Sequence, residues 1–322
     1  MKNVTIPIKL ISLLSDGNFH SEEKFSRLLR LSAATIKKEY IPIVRDWGVN
    51  VLTVHNKKGY RLCSPLHLLN KSIIQAYLSS GRLSVVSVID STNQYLIDRI
   101  GIIQSGDACI AEYQIQGRGR RGRKWISSFG NDLYLSLYWR FQAGLIATEG
   151  LSLMVGIVMA KELQRLGVKD IRIKWPNDLY LNNRKLAGIL VEIFGTIGDV
   201  AHIVIGIGIN LEMRSKISLE KINQKCVSLI EIGIVINRNT LAAKLINILR
   251  KALKQFEHDG FAPFVSAWCN MDNFFEKPVK LFIGKKEIRG VARGVDNRGN
   301  LLLEQDGQIY SYFSEETSLR GL

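Results

Sequence analysis

Residues 117–125 read GRGRRGRKW, and the interpretation of this stretch decides between two kinds of fold. Taken literally it contains G-x-G-x-x-G at Gly117, Gly119 and Gly122, the pattern of a dinucleotide-binding turn. That turn needs a helix to begin within it, so that a pyrophosphate rests on the helix N-terminus. Here Lys124-Trp125-Ile126-Ser127-Ser128-Phe129-Gly130-Asn131 follows, which has no helical period. Arginines also stand where that turn needs close approach. The doubly wound nucleotide fold is therefore rejected. A protein-kinase glycine loop goes with it, because no HRD or DFG counterpart exists. What remains is an anion loop. Its glycines admit a ligand close to the backbone, and Arg118, Arg120, Arg121, Arg123 and Lys124 supply donors for phosphate or carboxylate oxygens. Such like charges repel, so the loop is expected to be mobile until an anion fills it. A solvated basic loop or an arginine–glycine RNA contact has the same composition, but this one is embedded between strong strands.

Outward from the loop, strands and helices mix without strict βαβ alternation. Val85–Ile89, Ala108–Tyr113, Leu133–Arg140, Ile171–Trp175, Leu186–Glu192 and His202–Ile209 read as strands. Helices are expected from Asp90-Ser91-Thr92-Asn93 through Ile100, over Gly150–Leu166 and over Thr240–Phe256. This is an α+β domain with a mixed sheet, assigned to residues 66–270.

The first 65 residues read as helix, turn, helix and hairpin, a winged helix-turn-helix. Ser32 caps the second short helix, which carries Thr35, Lys37 and Lys38 outward, and Lys57 and Lys58 sit at the hairpin tip. These six residues are the candidate DNA contacts. Against that reading, the turn Leu29-Arg30-Leu31 lacks glycine, and Pro42 is expected to break the second helix. At the other end, residues 271–322 are strand and turn, with turn signals at Gly284-Lys285-Lys286, Asp296-Asn297-Arg298-Gly299 and Asp306-Gly307. A small SH3-like barrel is expected there.

Net charge is +15, which suits a polyanionic partner. Residues 1–65 carry 11 Lys/Arg against 5 Asp/Glu and residues 66–270 carry 25 against 16, while 271–322 carry 8 against 8. A general drift toward lysine would raise the total as well, so the local clusters matter more. The four cysteines are scattered without a CxxC pair, which argues for a reducing cytoplasm and against a zinc site or disulfide framework. No protein-held metal is expected. Met1–Leu14 lacks the features of a signal peptide, and Ser152, Lys161, Glu162 and Arg165 interrupt the most apolar helix candidate, so no membrane span is expected.

Three further clusters carry chemistry. Lys174-Trp175-Pro176-Asn177-Asp178 ends a strand with a sharp exit, and Arg184-Lys185-Leu186-Ala187-Gly188 opens the next with two cations. Gly206-Ile207-Gly208-Ile209-Asn210 alternates glycine with isoleucine, leaving room against a sheet face. Asp90-Ser91-Thr92-Asn93 places polar groups at a helix start, where Ser91 or Thr92 also serves as an ordinary cap.

Taken together, DSTN, GRGRRGRKW, KWPNDLYL with RKLAGILVE, and GIGIN, in this order, resemble the biotin–protein ligases. With the helix-turn-helix and the small barrel included, the resemblance extends to the bifunctional ligase/repressors and covers the whole chain. It implies a class II synthetase-like catalytic domain. It also implies that biotin and ATP, with Mg²⁺, form biotinyl-5′-adenylate, and that biotin then passes to a lysine of the biotin carboxyl carrier protein of acetyl-CoA carboxylase. The adenylate-bound homodimer would repress the biotin operon by binding operator DNA. By the same resemblance, Ser91, Thr92, Asn93 and Gln114 line the biotin pocket, and Arg118, Gly119 and Arg120 close over biotin and phosphates. Lys185 reaches the biotin carboxylate and α-phosphate, and Asp178 orients or deprotonates the acceptor lysine. Other readings are a ligase with a relic DNA-binding half, a biotin-sensing regulator without turnover, and a lipoate or octanoate ligase. Departures from the family pattern are Gln116 in the loop, Ser314-Glu315-Glu316 in place of a glycine turn, and the absence of an aromatic residue from Asn223-Gln224-Lys225-Cys226.

Overall fold

Local chemistry sets the N-terminal helices. α1 (Thr5–Leu14) buries Pro7, Leu10, Ile11 and Leu14. α2 (Glu22–Leu29) is capped by Ser21, whose hydroxyl accepts from the Lys24 N–H at 3.2 Å, with Glu22 and Glu23 favouring its positive end. The turn without glycine is made by Arg30 in the left-handed region, φ +55°. A non-glycine residue there costs about 1–2 kcal/mol. Pro42 does not break the next helix, contrary to expectation. α3 (residues 33–46) passes from Ala33–Thr35 through a π-helical stretch, Ile36–Tyr40, into Ile41–Asp46. The Ile41 N–H reaches back five residues to the Ile36 carbonyl, so Pro42 stands in the first turn of a renewed α segment. Its missing N–H and its ring are tolerated there. Beside these helices lies a small antiparallel sheet of β1 (His20–Ser21), β2 (Val51–Val54) and β3 (Gly59–Leu62), in the order β1-β3-β2.

The computed structural model describes residues 4–54, 56, 58–142, 144, 148–196, 199–212, 225–314 and 317–321. Lys57, Asn223-Gln224 and Glu315-Glu316, all singled out above, lie outside them.

After α4 (Lys71–Ala76), the middle of the chain forms a seven-stranded sheet. Its strands are β4 (Leu83–Ile89), β5 (Ala108–Gln114), β6 (Leu133–Phe141), β7 (Arg172–Lys174), β8 (Asp178–Leu181), β9 (Arg184–Phe194) and β10 (Ala201–Ile209). Their order is β4-β5-β6-β10-β9-β8-β7, and only β4 and β5 run parallel. β8 was not expected. It is short and completes a hairpin with β7 in which Lys174 pairs with Asp178. Side chains alternate across the sheet. On one face Leu135, Leu137, Ile205 and Ile207 join the main core under α6 (Leu151–Arg165) and α7 (Arg238–Asp259). The other face presents Ser136, Gly206 and Gly208 to α5 (Thr92–Ile97) and to the glycine–arginine loop.

Trp47 and Arg238 help hold the N-terminal unit and its connecting segment against this sheet. Trp47 stacks on Tyr113 and Phe129, ring centroids 5.4 and 5.8 Å apart, and its carbonyl accepts the Phe129 N–H at 2.8 Å. Arg238, at the start of α7, forms a buried ion pair with Glu112 at 2.6 Å and donates to the His67 carbonyl, pinning the connecting segment. Beyond α8 (Val265–Met271), β11 (Pro278–Ile283), β12 (Lys286–Val295), β13 (Leu301–Gln305), β14 (Gln308–Tyr312) and β15 (Thr317–Gly321) form an antiparallel sheet ordered β14-β13-β12-β11-β15. The Trp175 indole donates to the Gly299 carbonyl at 3.1 Å and ties this unit to the β7–β8 turn.

Candidate functional site

A cleft of about 740 Å³ opens between the ends of the central strands, the glycine–arginine loop and β15. Ser91, Thr92, Asn93, Gln114, Arg118, Gly119, Arg120, Asp178 and Lys185 all line it. The candidate DNA residues lie elsewhere. Lys37, Lys38 and Lys58 are exposed on the N-terminal unit, and Ser32 is spent as a cap, accepting the Thr35 N–H at 3.1 Å.

One end of the cleft is neutral and polar. Ser91 caps α5, as any serine there would, accepting the Gln94 N–H at 3.4 Å. The Gln114 Oε1 accepts the Thr92 N–H at 2.8 Å, which turns the Gln114 amide NH₂ away from that contact. Ser136 lies 2.7 Å from the Thr92 hydroxyl and 2.5 Å from the Asn93 Oδ1. The glycines of GIGIN give these groups room, since a Cβ on Gly206 would collide with the Asn93 amide and one on Gly208 would come within 2.5 Å of Trp125.

The other end is cationic. Lys185 Nζ stands 2.8 Å from Asp178 Oδ1, both side chains mostly buried, and 5.4 Å from the centre of the Trp125 ring. The Lys185 backbone is clamped between Lys225 and Val227, donating to the Lys225 carbonyl at 2.9 Å and accepting the Val227 N–H at 3.0 Å. Burial holds the Lys174 ammonium below the usual lysine range. Asp178 counters this, and Lys185, Arg320 and Arg123 reinforce it. Burial also lowers Arg120, whose neighbours are Arg121 and Arg123. Cations pressed together in this way are stabilised by a polyanion arriving among them. Asp178 is the one carboxylate among the described residues that line the cleft, and Lys185 already engages it.

The loop does not stand open. Gly119 N–H donates to the Arg123 carbonyl at 2.7 Å and Trp125 N–H to the Gly117 carbonyl at 2.8 Å, so the loop closes on itself around a short 3₁₀ turn, Arg120–Gly122. Arg120 donates to the Ser314 carbonyl next to β15. Charge counting alone did not anticipate these backbone bonds within the loop. The Arg118 Nε is buried and finds no acceptor among the described residues.

Against this geometry the comparisons are decisive. The description "Biotin/lipoate A/B protein ligase family" fits residues 85–210, and "Biotin protein ligase C terminal domain" fits residues 274–315. The bifunctional ligase/repressor BirA of Salmonella typhimurium is 57% identical over 99% of both chains, and that of Escherichia coli 56% identical over the same shares. The chain belongs to the bifunctional biotin ligase/repressor family. A biotin protein ligase from Aquifex aeolicus, solved in complex with biotin and ATP, superposes with a TM-score of 0.64 at 29% identity, covering 75% of this chain and 99% of its own. Sequence reasoning did not single out Trp125 and Arg320, which line the cleft, or Glu192, which bonds Asn93 and Arg118 beside it. Trp125 was quoted as the end of the loop, but nothing local says that two glycines on other strands make its slot. Arg320 sits in a strand of the C-terminal sheet and reaches the cleft only through tertiary packing.

Proposed function

We propose that this chain activates biotin with ATP to biotinyl-5′-adenylate and transfers the biotinyl group to a carrier-protein lysine. The observation that carries the reading is a single cleft that joins a neutral hydrogen-bonding end to a cationic one through Lys185. The neutral end suits a ureido group: Gln114 has its carbonyl oxygen occupied and its NH₂ left to donate. At the junction, a biotin carboxylate oxygen attacks the α-phosphorus and pyrophosphate leaves. Both reactants are anionic, so bringing them together depends on cations fixed in advance. Lys185 is placed for the carboxylate and α-phosphate, and Arg120, Arg123, Lys174 and Arg320 for the remaining phosphates. Arg118 and Gly119 cover the biotin end. Mg²⁺ enters with ATP as part of the substrate. Asp178, paired with Lys185, does not suit a protein-held ion.

In the second step a neutral lysine amine attacks the acyl carbon and AMP leaves, and Asp178 orients that amine or takes its proton. The acceptor is the biotin carboxyl carrier protein of acetyl-CoA carboxylase. Residues 1–65 act as a winged helix-turn-helix, residues 66–270 as the class II synthetase-like catalytic domain, and 271–322 as an SH3-like barrel. Two adenylate-bound copies of this cytoplasmic protein bind the biotin operator. Incubation with α-labelled ATP and biotin, lipoate or octanoate, followed by carrier protein, tests the enzyme half. Adenylate with lipoate but not with biotin would overturn the substrate.

A further inference from the structure

Glu192 lies on β9, on the sheet face that lines the cleft, one register step beyond the glycine on which Asn93 rests. Its partner across the ladder is Val204, two residues from Gly206 on the same face. The Glu192 Oε2 accepts from the Asn93 Nδ2 at 2.7 Å and from the Arg118 Nη2 at 2.9 Å. Arg118 completes its fork through Nη1, which donates to the Gln94 Oε1 at 2.8 Å. None of these bonds reaches the reacting end of the cleft, where Lys185 and Asp178 stand.

A carboxylate in this place does two things that a neutral residue would not. It only accepts hydrogen bonds, so it fixes which way the Asn93 amide faces: NH₂ toward Glu192 and oxygen toward Ser136. With its one proton given to the Asn93 oxygen, Ser136 accepts from the Thr92 hydroxyl, and the Thr92 N–H in turn holds the Gln114 Oε1, so the polar groups of the biotin end are ordered together. It also supplies the one counter-charge among the described residues within ion-pair distance of Arg118. Arg118 is the residue where the loop pairs with Lys124 and doubles back. The ion pair joins a loop to a rigid strand, with both side chains partly shielded, 37% and 24% exposed.

We propose that Glu192 is a positioning residue for biotin, stapling the glycine–arginine loop through Arg118 and setting the amide of Asn93. The staple rests on the reading of this cleft as a biotin site. Because it acts on the binding end, its loss raises the KM for biotin and leaves the chemical step in place. Hydrogen bonds to charged groups contribute enough that Glu192→Gln should raise the biotin KM about ten-fold or more, with kcat for adenylate formation changed by less than about three-fold. Glu192→Asp, which keeps the charge, should recover part of the loss. Trypsin supplies a second readout, because Arg121, Arg123 and Lys124 are exposed in the loop. Cleavage there should run at least about five-fold faster in Glu192→Gln, with the thermal midpoint of the whole protein unchanged.

The test is a cycle of Glu192→Gln, Arg118→Met and the double variant, each assayed for biotin KM, kcat and loop cleavage. A double variant no worse than the poorer single supports the staple. Additive effects overturn it, as does Glu192→Gln with wild-type KM and wild-type cleavage, or a fall in kcat at unchanged KM. If Glu192→Gln does not fold, Glu192→Asp carries the same comparison against Arg118→Met. Wild-type protein that forms no adenylate with biotin would sink the biotin reading, while the cleavage cycle would still decide whether Glu192 holds the loop.

Discussion

Lys185 Nζ and Asp178 Oδ1 stand 2.8 Å apart at the junction of the two ends of the cleft, and both side chains are largely shielded, 12% and 15% exposed. The pair ties the two chemical steps to one location. Lys185→Ala removes the cation on which the carboxylate and α-phosphate converge, and adenylate formation should fall by about 10²–10³-fold or more. Asp178→Asn leaves that cation in place, so adenylate should still form while transfer to carrier protein slows. Single-turnover assays of the two half-reactions separate these outcomes. Equal loss of both steps in Asp178→Asn would remove its assignment to transfer.

The glycines on β9 and β10 give a second expectation. A methyl group on Gly208 would come within 2.5 Å of the Trp125 ring, and one on Gly188 within 2.8 Å of it. Trp125 must then leave the floor of the cleft. Gly208→Ala should lower biotin affinity at least about ten-fold while the isoleucine face of β10, packed in the core, keeps the fold melting normally. Biotin titration alongside a thermal melt distinguishes loss of the site from loss of the protein.

A third expectation follows from Lys174. Burial first, and repulsion from Lys185, Arg320 and Arg123 after it, hold its ammonium below the usual lysine range. Triphosphate oxygens placed among these cations would raise it again. ATP binding at alkaline pH should therefore take up protons, and Lys174→Met should abolish most of that uptake. Calorimetry in buffers of different ionisation enthalpy measures it directly, and uptake unchanged in Lys174→Met would remove the lysine from the phosphate site.

How much of this was legible in the sequence depended on whether the determinant was local. The cap at Ser32, the hairpin that carries Lys58 and the alternation of GIGIN are written in adjacent residues, and they are present as read. Pro42 was misread because a π turn is set by the packing of Ile36, Ile41 and Val44 into the N-terminal core rather than by any signal in the chain. The rejection of a dinucleotide turn holds, since only a short 3₁₀ turn, Arg120–Gly122, forms within the loop. Its anchoring to the rest of the chain was not legible, because Glu192 and the Ser314 carbonyl, the partners of Arg118 and Arg120, lie 74 and 194 residues away.

Acid stability should depend on Asp107. Burial alone would raise its carboxyl, but N–H groups of Gln104 and Arg82 and the Arg82 guanidinium, 2.7 Å away, outweigh it and hold it below the usual aspartate range. A folded value below the unfolded one means stabilisation that is fully present above the ordinary carboxylate range and is lost as pH falls through the folded value. Asp107→Asn should lower the melting point at neutral pH and flatten its decline below about pH 4. Melting curves across that range, for wild type and variant, decide it.

The repressor half can be tested through salt. Lys37 and Lys38 are exposed on the π-helical part of α3, and Pro42 leaves that helix intact, which removes one of the two objections to its entering a groove. If each lysine neutralises a phosphate, binding releases counterions and log K falls with log salt by about 0.9 per contact. Replacing both with alanine should weaken operator binding at every sequence tested and reduce the salt slope by about 1.8 for each bound copy. Adenylate formation should be unaffected, because neither residue touches the cleft. Fluorescence anisotropy of operator duplex, with biotin and ATP present and salt varied, reads the slope. An unchanged slope would mean that α3 is not the element that meets DNA.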